Sequence, residues 1–246
     1  MKDIELKRPE VTLLTVGGGG LNIAIDLTKA EMFKSYYIIA YDSDSSYVEE
    51  ILKQEKNLPL YFSTIPDNHG VQTTLTDLNY YSEDLLDWET TVGGMSKIMI
   101  LCTTLGGKVG TNLAPLVGLA ASLQGRFVIS VYSLPLKFEG DKRMIRAIEA
   151  SEKIIDMSNI AIEQHNDYLG KSSELKMNEI HLPMVNSFRN IYDKSIYLIS
   201  EKCKEYEDVE KLVPQEYQQE NEKLISVYVN SYRTTLIKNK IKYFKI

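Results

Sequence analysis

Two glycine clusters occupy the same kind of place in this chain. Val11-Thr12-Leu13-Leu14-Thr15-Val16 runs straight into Gly17-Gly18-Gly19-Gly20, and Ile98-Met99-Ile100-Leu101 leads into Cys102-Thr103-Thr104-Leu105-Gly106-Gly107-Lys108-Val109-Gly110-Thr111-Asn112. A short apolar, β-branched run bounded by glycines reads as a buried strand. Each cluster is followed by helical spacing, over 21–27 and over 113–124, with Pro115 in the predicted first turn of the second helix and Gly125 just past its end. A strand that feeds a glycine-rich turn opening a helix aims several backbone N–H groups at one point, and a phosphate chain is the anion that suits it. The pattern predicts a nucleotide site.

The remaining chain extends the alternation. Strands are expected at 36–40, 96–103, 126–132 and 160–162, and helices at 47–56, 82–91 and 141–157. Residues 64–70 read as a loop at the carboxyl end of a short strand. Alternating strands and helices of these lengths predict an α/β fold: a Rossmann-like open, mostly parallel sheet with helices on both faces. In such sheets ligands sit beyond the carboxyl ends of the strands. Residues 17–22, 42–44, 106–111, 135–143 and 165–167 all fall just after a strand, which places them at one shared site. The expected organisation is a nucleotide-binding domain over 1–180, a long helix over 181–207, and a short appendage over 208–246 in which 224–236 is a helix or a strand.

At 246 residues the chain can bury a sizeable core. Its net charge of −6 gives no overall attraction to nucleic acid. Cys102 and Cys203 suggest neither a disulfide framework nor a zinc site, and no metal ligand set is predicted. The opening MKDIELKRPE lacks the apolar core of a signal peptide, and no apolar run approaches the ~20 residues of a membrane span, so a cytoplasmic protein is expected. The basic end, Lys238-Asn239-Lys240-Ile241-Lys242-Tyr243-Phe244-Lys245-Ile246, has the charge-plus-apolar character of a membrane-surface segment. An edge strand or solvated end is the preferred reading of it.

Residues 17–22 nearly match the G-x-G-x-x-G dinucleotide fingerprint, with Asn22 at the third glycine and Asp42 and Asp44 placed to receive a ribose hydroxyl. An NAD-type site is therefore one reading; a glycine run that only makes a tight turn is another. The second cluster is no Walker A loop, because Val109 follows Lys108 where a Ser or Thr would hold Mg²⁺. Two glycine turns, each opening a helix, suit a ligand whose phosphates are clasped from two sides.

On these residues the chain resembles the tubulin/FtsZ superfamily, and within it the bacterial cell-division GTPases of the FtsZ branch. Val16-Gly17-Gly18-Gly19-Gly20-Leu21-Asn22 is similar to the family's first phosphate loop, and 105–112 resembles its G-G-G-T-G-T-G signature. Ala40-Tyr41-Asp42-Ser43-Asp44 is similar to A-x-N-T-D. Pro135-Leu136-Lys137-Phe138-Glu139-Gly140-Asp141-Lys142-Arg143-Met144 resembles P-F-x-F-E-G-x-x-R-M, and Asn166-Asp167-Tyr168-Leu169 resembles N-D-x-L. The resemblance covers roughly residues 11–193 and implies GTP or GDP as ligand, with Mg²⁺ on the phosphates. It implies that Gly18, Gly19, Gly20 and Asn22 line phosphates and base from one side, with Asp42 beside them. Gly106, Gly107, Lys108, Gly110 and Thr111 would face the phosphates from the other side, and Pro135, Glu139 and Arg143 the ribose. Asn166 would read the guanine edge by paired amide hydrogen bonds. Phe188 would stack on the base, with Tyr192 at the second guanine-reading position.

The departures are specific. Lys108-Val109 replaces Gly-Thr in the signature, Asn112 replaces its last glycine, and Tyr192 stands where the family has Asp or Asn. The family's terminal-phosphate loop has its nearest counterpart in 66–70, and its second domain has none. Glu205-Tyr206-Glu207-Asp208-Val209 resembles the acidic loop that the family inserts into the next subunit's site. That resemblance implies Glu205 and Asp208 as carboxylates positioning the attacking water, with head-to-tail self-association into filaments or with an FtsZ-like partner. The alternative expectation is a degenerate, non-catalytic module that keeps the fold and binds nucleotide weakly or not at all.

Overall fold

A computed structural model describes residues 11–55, 57–64, 83–167, 180–201 and 225–229. Its centre is one seven-stranded sheet in the order β3-β2-β1-β4-β5-β6-β7. The strands are β1 (Val11–Val16), β2 (Tyr36–Asp42), β3 (Leu60–Thr64), β4 (Ile98–Thr104), β5 (Phe127–Leu134), β6 (Ile160–His165) and β7 (Ile225–Val229). The first six are parallel and β7 adds antiparallel to β6. The expected mostly parallel α/β sheet is the observed one. Residues 224–236, open between helix and strand, contain β7.

The helices are α1 (Gly18–Lys29), α2 (Ser45–Gln54), α3 (Glu83–Gly93), α4 (Lys108–Leu123), α5 (Asp141–Met157) and α6 (Leu182–Glu201). Side chains of β1, β4 and β5 are buried along nearly the whole of each strand, as strands covered on both faces must be. One core holds Leu21, Ile23 and Leu27 of α1 with Met184, Val185 and Phe188 of α6. The other holds Val92 of α3, Leu113 and Val117 of α4, and Ala147 and Ile154 of α5. The sheet is thus sandwiched, with α1, α2 and α6 on one face and α3, α4 and α5 on the other.

Two helix starts differ from the sequence expectation, for the same reason. Gly18, Gly19 and Gly20 of the first cluster lie inside α1, which begins at Gly18 rather than at 21, and α4 begins at Lys108 rather than at 113. Glycine's poor helix propensity argues for a turn, but close packing overrides it here. A Cβ at Gly20 would collide with the Cys102 carbonyl, and one at Gly110 would lie 2.5 Å from both the Thr104 carbonyl oxygen and the Thr103 hydroxyl. Only glycine lets both helices rest directly on β4. Pro115 consequently sits in the interior of α4 rather than in its first turn, where its missing N–H leaves the Thr111 carbonyl without its helical partner.

Candidate nucleotide site

The strand order reverses between β1 and β4, which lie side by side and whose helices leave to opposite faces. In an open parallel sheet this switch point opens a crevice beyond the carboxyl ends of the strands. Both glycine clusters are there. Gly17, at φ +80°, donates its N–H to the Tyr41 carbonyl (2.8 Å) and turns the chain from β1 into α1. Leu105 donates to the Ser133 carbonyl (2.9 Å), and Gly106, at φ +93°, turns the chain toward α4. Both φ values lie in the region that glycine adopts without a steric penalty. The two turns touch: a Cβ on Gly17 would be 3.6 Å from the Gly110 nitrogen and 4.0 Å from Val109 Cβ.

The N-cap residues of α1 and α4 are Gly17 and Gly107, and neither supplies a side-chain cap. No acidic residue stands in the first turn of either helix. By contrast α2 is capped by Asp44, whose carboxylate accepts from Ser46 N–H (3.0 Å) and Ser46 Oγ–H (2.5 Å). Those bonds, the side-chain one first, hold the Asp44 carboxyl below its ordinary range. The first-turn amides of α1 and α4 therefore carry the positive ends of two helix dipoles with no carboxylate cap. Lys108, the exposed first residue of α4, adds a formal charge beside them. No heavy atom comes within 4 Å of a Cβ built on Gly107, so there is open space over that turn. Thr111 keeps the second turn closed, its hydroxyl accepting from Gly106 N–H at 2.8 Å.

Two walls flank the cradle. On the α5 side Arg143 lies over Gly106, whose Cβ would be 2.8 Å from Arg143 Cγ and 3.1 Å from Pro135 Cγ. Arg143 pairs with Glu139 at 3.0 Å, and the other Glu139 oxygen accepts from Leu136 N–H at 2.8 Å. Gly106, Pro135, Glu139 and Arg143 are thus brought together. On the α2 side Asp42 is buried, one oxygen accepting from Ser43 N–H (2.7 Å) and Asp44 N–H (3.3 Å) while Oδ2 faces Gly18. Tyr47 from α2 lies against Gly18 and donates its hydroxyl hydrogen to Asn22 Oδ1 at 2.6 Å. No sequence motif points to Tyr47. The Asp44 cap that fixes where α2 starts was the one signal available.

Beyond β6, Asn166 accepts from Gln164 Nε2 at 2.8 Å, and Asp167 accepts from Lys137 N–H at 2.7 Å, tying the β5 and β6 loops together. One half of the Asn166 amide is therefore engaged within the protein, which modifies the expectation of a paired amide contact. Asn166 and Pro135 also border a cleft of about 760 Å³ between α5 and β7. Glu163 at its floor accepts from Ser151 Oγ–H, His165 Nε2 (3.0 Å) and Tyr228 O–H (3.3 Å). Burial pushes the Glu163 carboxyl up, but hydrogen bonds from His165, Ser151 and Tyr132 outweigh it and hold the group below its ordinary range.

Phe188 and Tyr192 are not brought to this edge. Both are buried, stacked at 5.3 Å and packed on Phe33. Phe33 follows the carboxyl end of α1, and the neighbouring Arg189 bonds the Ala30 carbonyl at 3.0 Å. That is the opposite end of the sheet from the glycine turns. The reason is where α6 begins: His181, just before it, meets Asp26, the ninth of the twelve residues of α1, at 2.7 Å, so Phe188 lies further down. Glu205, Asp208, the 66–70 loop and the basic 238–246 end lie outside the described residues. Among the described residues no group of three or more His, Cys, Asp or Glu forms a metal cluster, and no helix is long and apolar enough to cross a membrane.

Comparison with known proteins agrees with this geometry. Residues 10–174, more than half of the chain, match the model of the "Tubulin/FtsZ family, GTPase domain". The chain is 25% identical over 171 residues to the cell division protein FtsZ of Aquifex aeolicus, covering 67% of this chain and 44% of that one. It is 27% identical over 169 residues to cell division protein FtsZ 2 of Rhizobium meliloti, covering 69% and 48%. It therefore spans about half the length of these relatives. Its fold is similar to that of an FtsZ variant from M. jannaschii, with a TM-score of 0.55, 18% identity, and coverage of 79% of this chain and 58% of that one. With the signature turns at the switch point of a parallel sheet, the chain belongs to the tubulin/FtsZ family and carries its GTPase domain.

Proposed function

We propose that the chain binds a guanine nucleotide across the β1/β4 switch point. The observation that carries this reading is the meeting of two helix N-termini that lack a side-chain cap, those of α1 and α4, with open space over the Gly107 turn. The di- or triphosphate lies over Gly18, Gly19 and Gly20 on one side and Gly106, Gly107, Gly110 and Thr111 on the other. Lys108 adds charge where the family signature has glycine. The ribose lies toward Glu139, Arg143 and Pro135, and the base toward Asn22 and Asn166, with Asp42 walling the α2 side. A Mg²⁺ ion would be carried by the phosphates. Carboxylates are good acceptors for ribose hydroxyls, and amide side chains for the mixed donor–acceptor edge of guanine.

Hydrolysis and filament growth are the second part of the proposal. Residues in the Glu205–Asp208 stretch of one copy would reach the terminal phosphate held by the next, aligning the attacking water. Such a head-to-tail contact is heterologous and extends until something blocks it. Membership of the family and the names of the relatives support this; a cell-division role is proposed on the same basis.

Calorimetric titration of the whole chain with GTP, GDP, ATP and NAD in magnesium buffer tests the first part. Binding of GTP and GDP in preference to ATP and NAD is expected. No heat with either guanine nucleotide overturns it, and preference for NAD returns the site to the dinucleotide reading. GTP-dependent light scattering and phosphate release that both fall in Asp208→Ala test the second part.

A further inference from the structure

We infer that Tyr47 is a positioning residue of this site: it fixes the side-chain amide of Asn22 so that its NH2 group, rather than its oxygen, is presented to the nucleotide. The inference rests on the nucleotide reading above and adds a residue that belongs to none of the sequence motifs.

The geometry is held at both ends. Tyr47 is the third residue of α2, whose start is pinned by the Asp44 cap. Its ring is half-buried and packs on the α1/α2/α6 core. Its edge approaches the place where a Gly18 side chain would be, with Cε1 at 3.0 Å and Cδ1 at 3.1 Å from that position. A side chain at residue 18 would press on the ring, which would have to give by a few tenths of an ångström. From there the hydroxyl reaches Asn22 Oδ1 at 2.6 Å, a short bond between α2 and α1.

The chemistry follows from the donors and acceptors. A phenol can donate to an amide oxygen or accept from an amide N–H, but 2.6 Å is the length of an O–H···O bond and is shorter than an N–H···O bond. Tyr47 thus selects one of the two amide orientations, the one with Oδ1 turned to α2 and Nδ2 turned away from it. Asn22 then meets its ligand as a donor. The matching ligand group is an acceptor, a purine ring nitrogen or a ribose oxygen, and not the exocyclic amine of guanine. Guanine and hypoxanthine nucleotides are equivalent at this contact, so discrimination between them must come from elsewhere in the site.

Titration of GDP and IDP into the wild-type chain, Tyr47→Phe, Asn22→Asp, Asn22→Ala and the Tyr47→Phe/Asn22→Ala double variant tests this, with thermal melts of each. Tyr47→Phe keeps the ring and is expected to weaken GDP and IDP equally, on the order of five- to tenfold. Asn22→Asp keeps an acceptor for Tyr47 but has no NH2, so affinity falls at least as far while the melting temperature holds. A merely structural tie would leave Asn22→Asp binding normally. In the Asn22→Ala background Tyr47→Phe should add nothing beyond about twofold. GDP binding by Tyr47→Phe within about twofold of the wild type overturns the role of Tyr47 and leaves the nucleotide site standing. If Tyr47→Phe fails to fold, Asn22→Asp still tests the donor role: normal GDP binding by it overturns the inference. No GDP binding by the wild type overturns both.

Discussion

The two glycine turns look alike in sequence and do different work in the structure. In the first, the glycines are mostly packing residues. Gly19 is pressed on the Thr104 side chain and Gly20 on the Cys102 carbonyl, so this half of the cradle is built by laying α1 directly on β4. In the second, Gly110 packs on β4 in the same way, Gly106 turns the chain at positive φ, and Gly107 faces open space. The second turn is also where the sequence departs from the family signature, at Lys108 and Val109. A glycine in a phosphate loop can thus be there for the helix behind it or for the ligand in front of it. The neighbours of its missing Cβ tell which.

Alanine substitutions separate the two kinds. Gly20→Ala has the largest expected effect, because the obstacle is the backbone of a buried strand; a loss on the order of 3 kcal/mol should appear as a lower urea midpoint. Gly110→Ala should cost somewhat less, about 2 kcal/mol, since one of its two obstacles is the Thr103 hydroxyl rather than backbone. Gly19→Ala meets Oγ1, Cγ2 and Cβ of Thr104, and rotation moves only the first two, so a similar loss of about 2 kcal/mol is expected in the same melts. Gly107→Ala should change stability by less than about 1 kcal/mol, as an alanine N-cap does, while lowering nucleotide affinity measured by titration. If Gly107→Ala unfolds the chain, or Gly20→Ala melts like the wild type, the division between the turns is wrong.

The smallest expected effect lies away from both turns and serves as their control. Glu163 has a folded carboxyl below its ordinary range, so it adds stability that is complete above the unfolded value of about 4.3 and is lost as pH falls through the folded one. Glu163→Gln should flatten that acid limb in pH-dependent melts. The glycine variants, whose defects are steric, should shift the whole curve and leave its acid limb in place.

The strands were legible because burial on both faces leaves an uninterrupted apolar run, and 98–101 or 127–132 have little else to be. The helix starts were not. Gly18, Gly19, Gly20 and Gly110 are poor helix formers locally, and what makes them helical is β4, which local spacing does not see. Residues that touch across the chain were the hardest: Tyr47 meets Asn22, 25 positions away, through a contact that no motif encodes. Phe188 shows the converse. The family resemblance implies an aromatic over the ligand, and the starting point of α6 carries it to the far end of the sheet. Main-chain features of the site could be read from the sequence; side-chain orientation could not.

The antiparallel strand β7 has a bearing on how this sheet is made. Ile225 pairs with Gln164 and Val229 with Ile160, so the β6 edge is completed by residues synthesised some sixty positions later. Closing so long a loop costs entropy before any ladder bond forms. During translation the parallel strands emerge first, with the β6 edge unpaired, and an unpaired edge is the part of a sheet most prone to join another chain. The interval between the emergence of β6 and that of β7 is therefore the stage at which this chain most needs a chaperone or dilution.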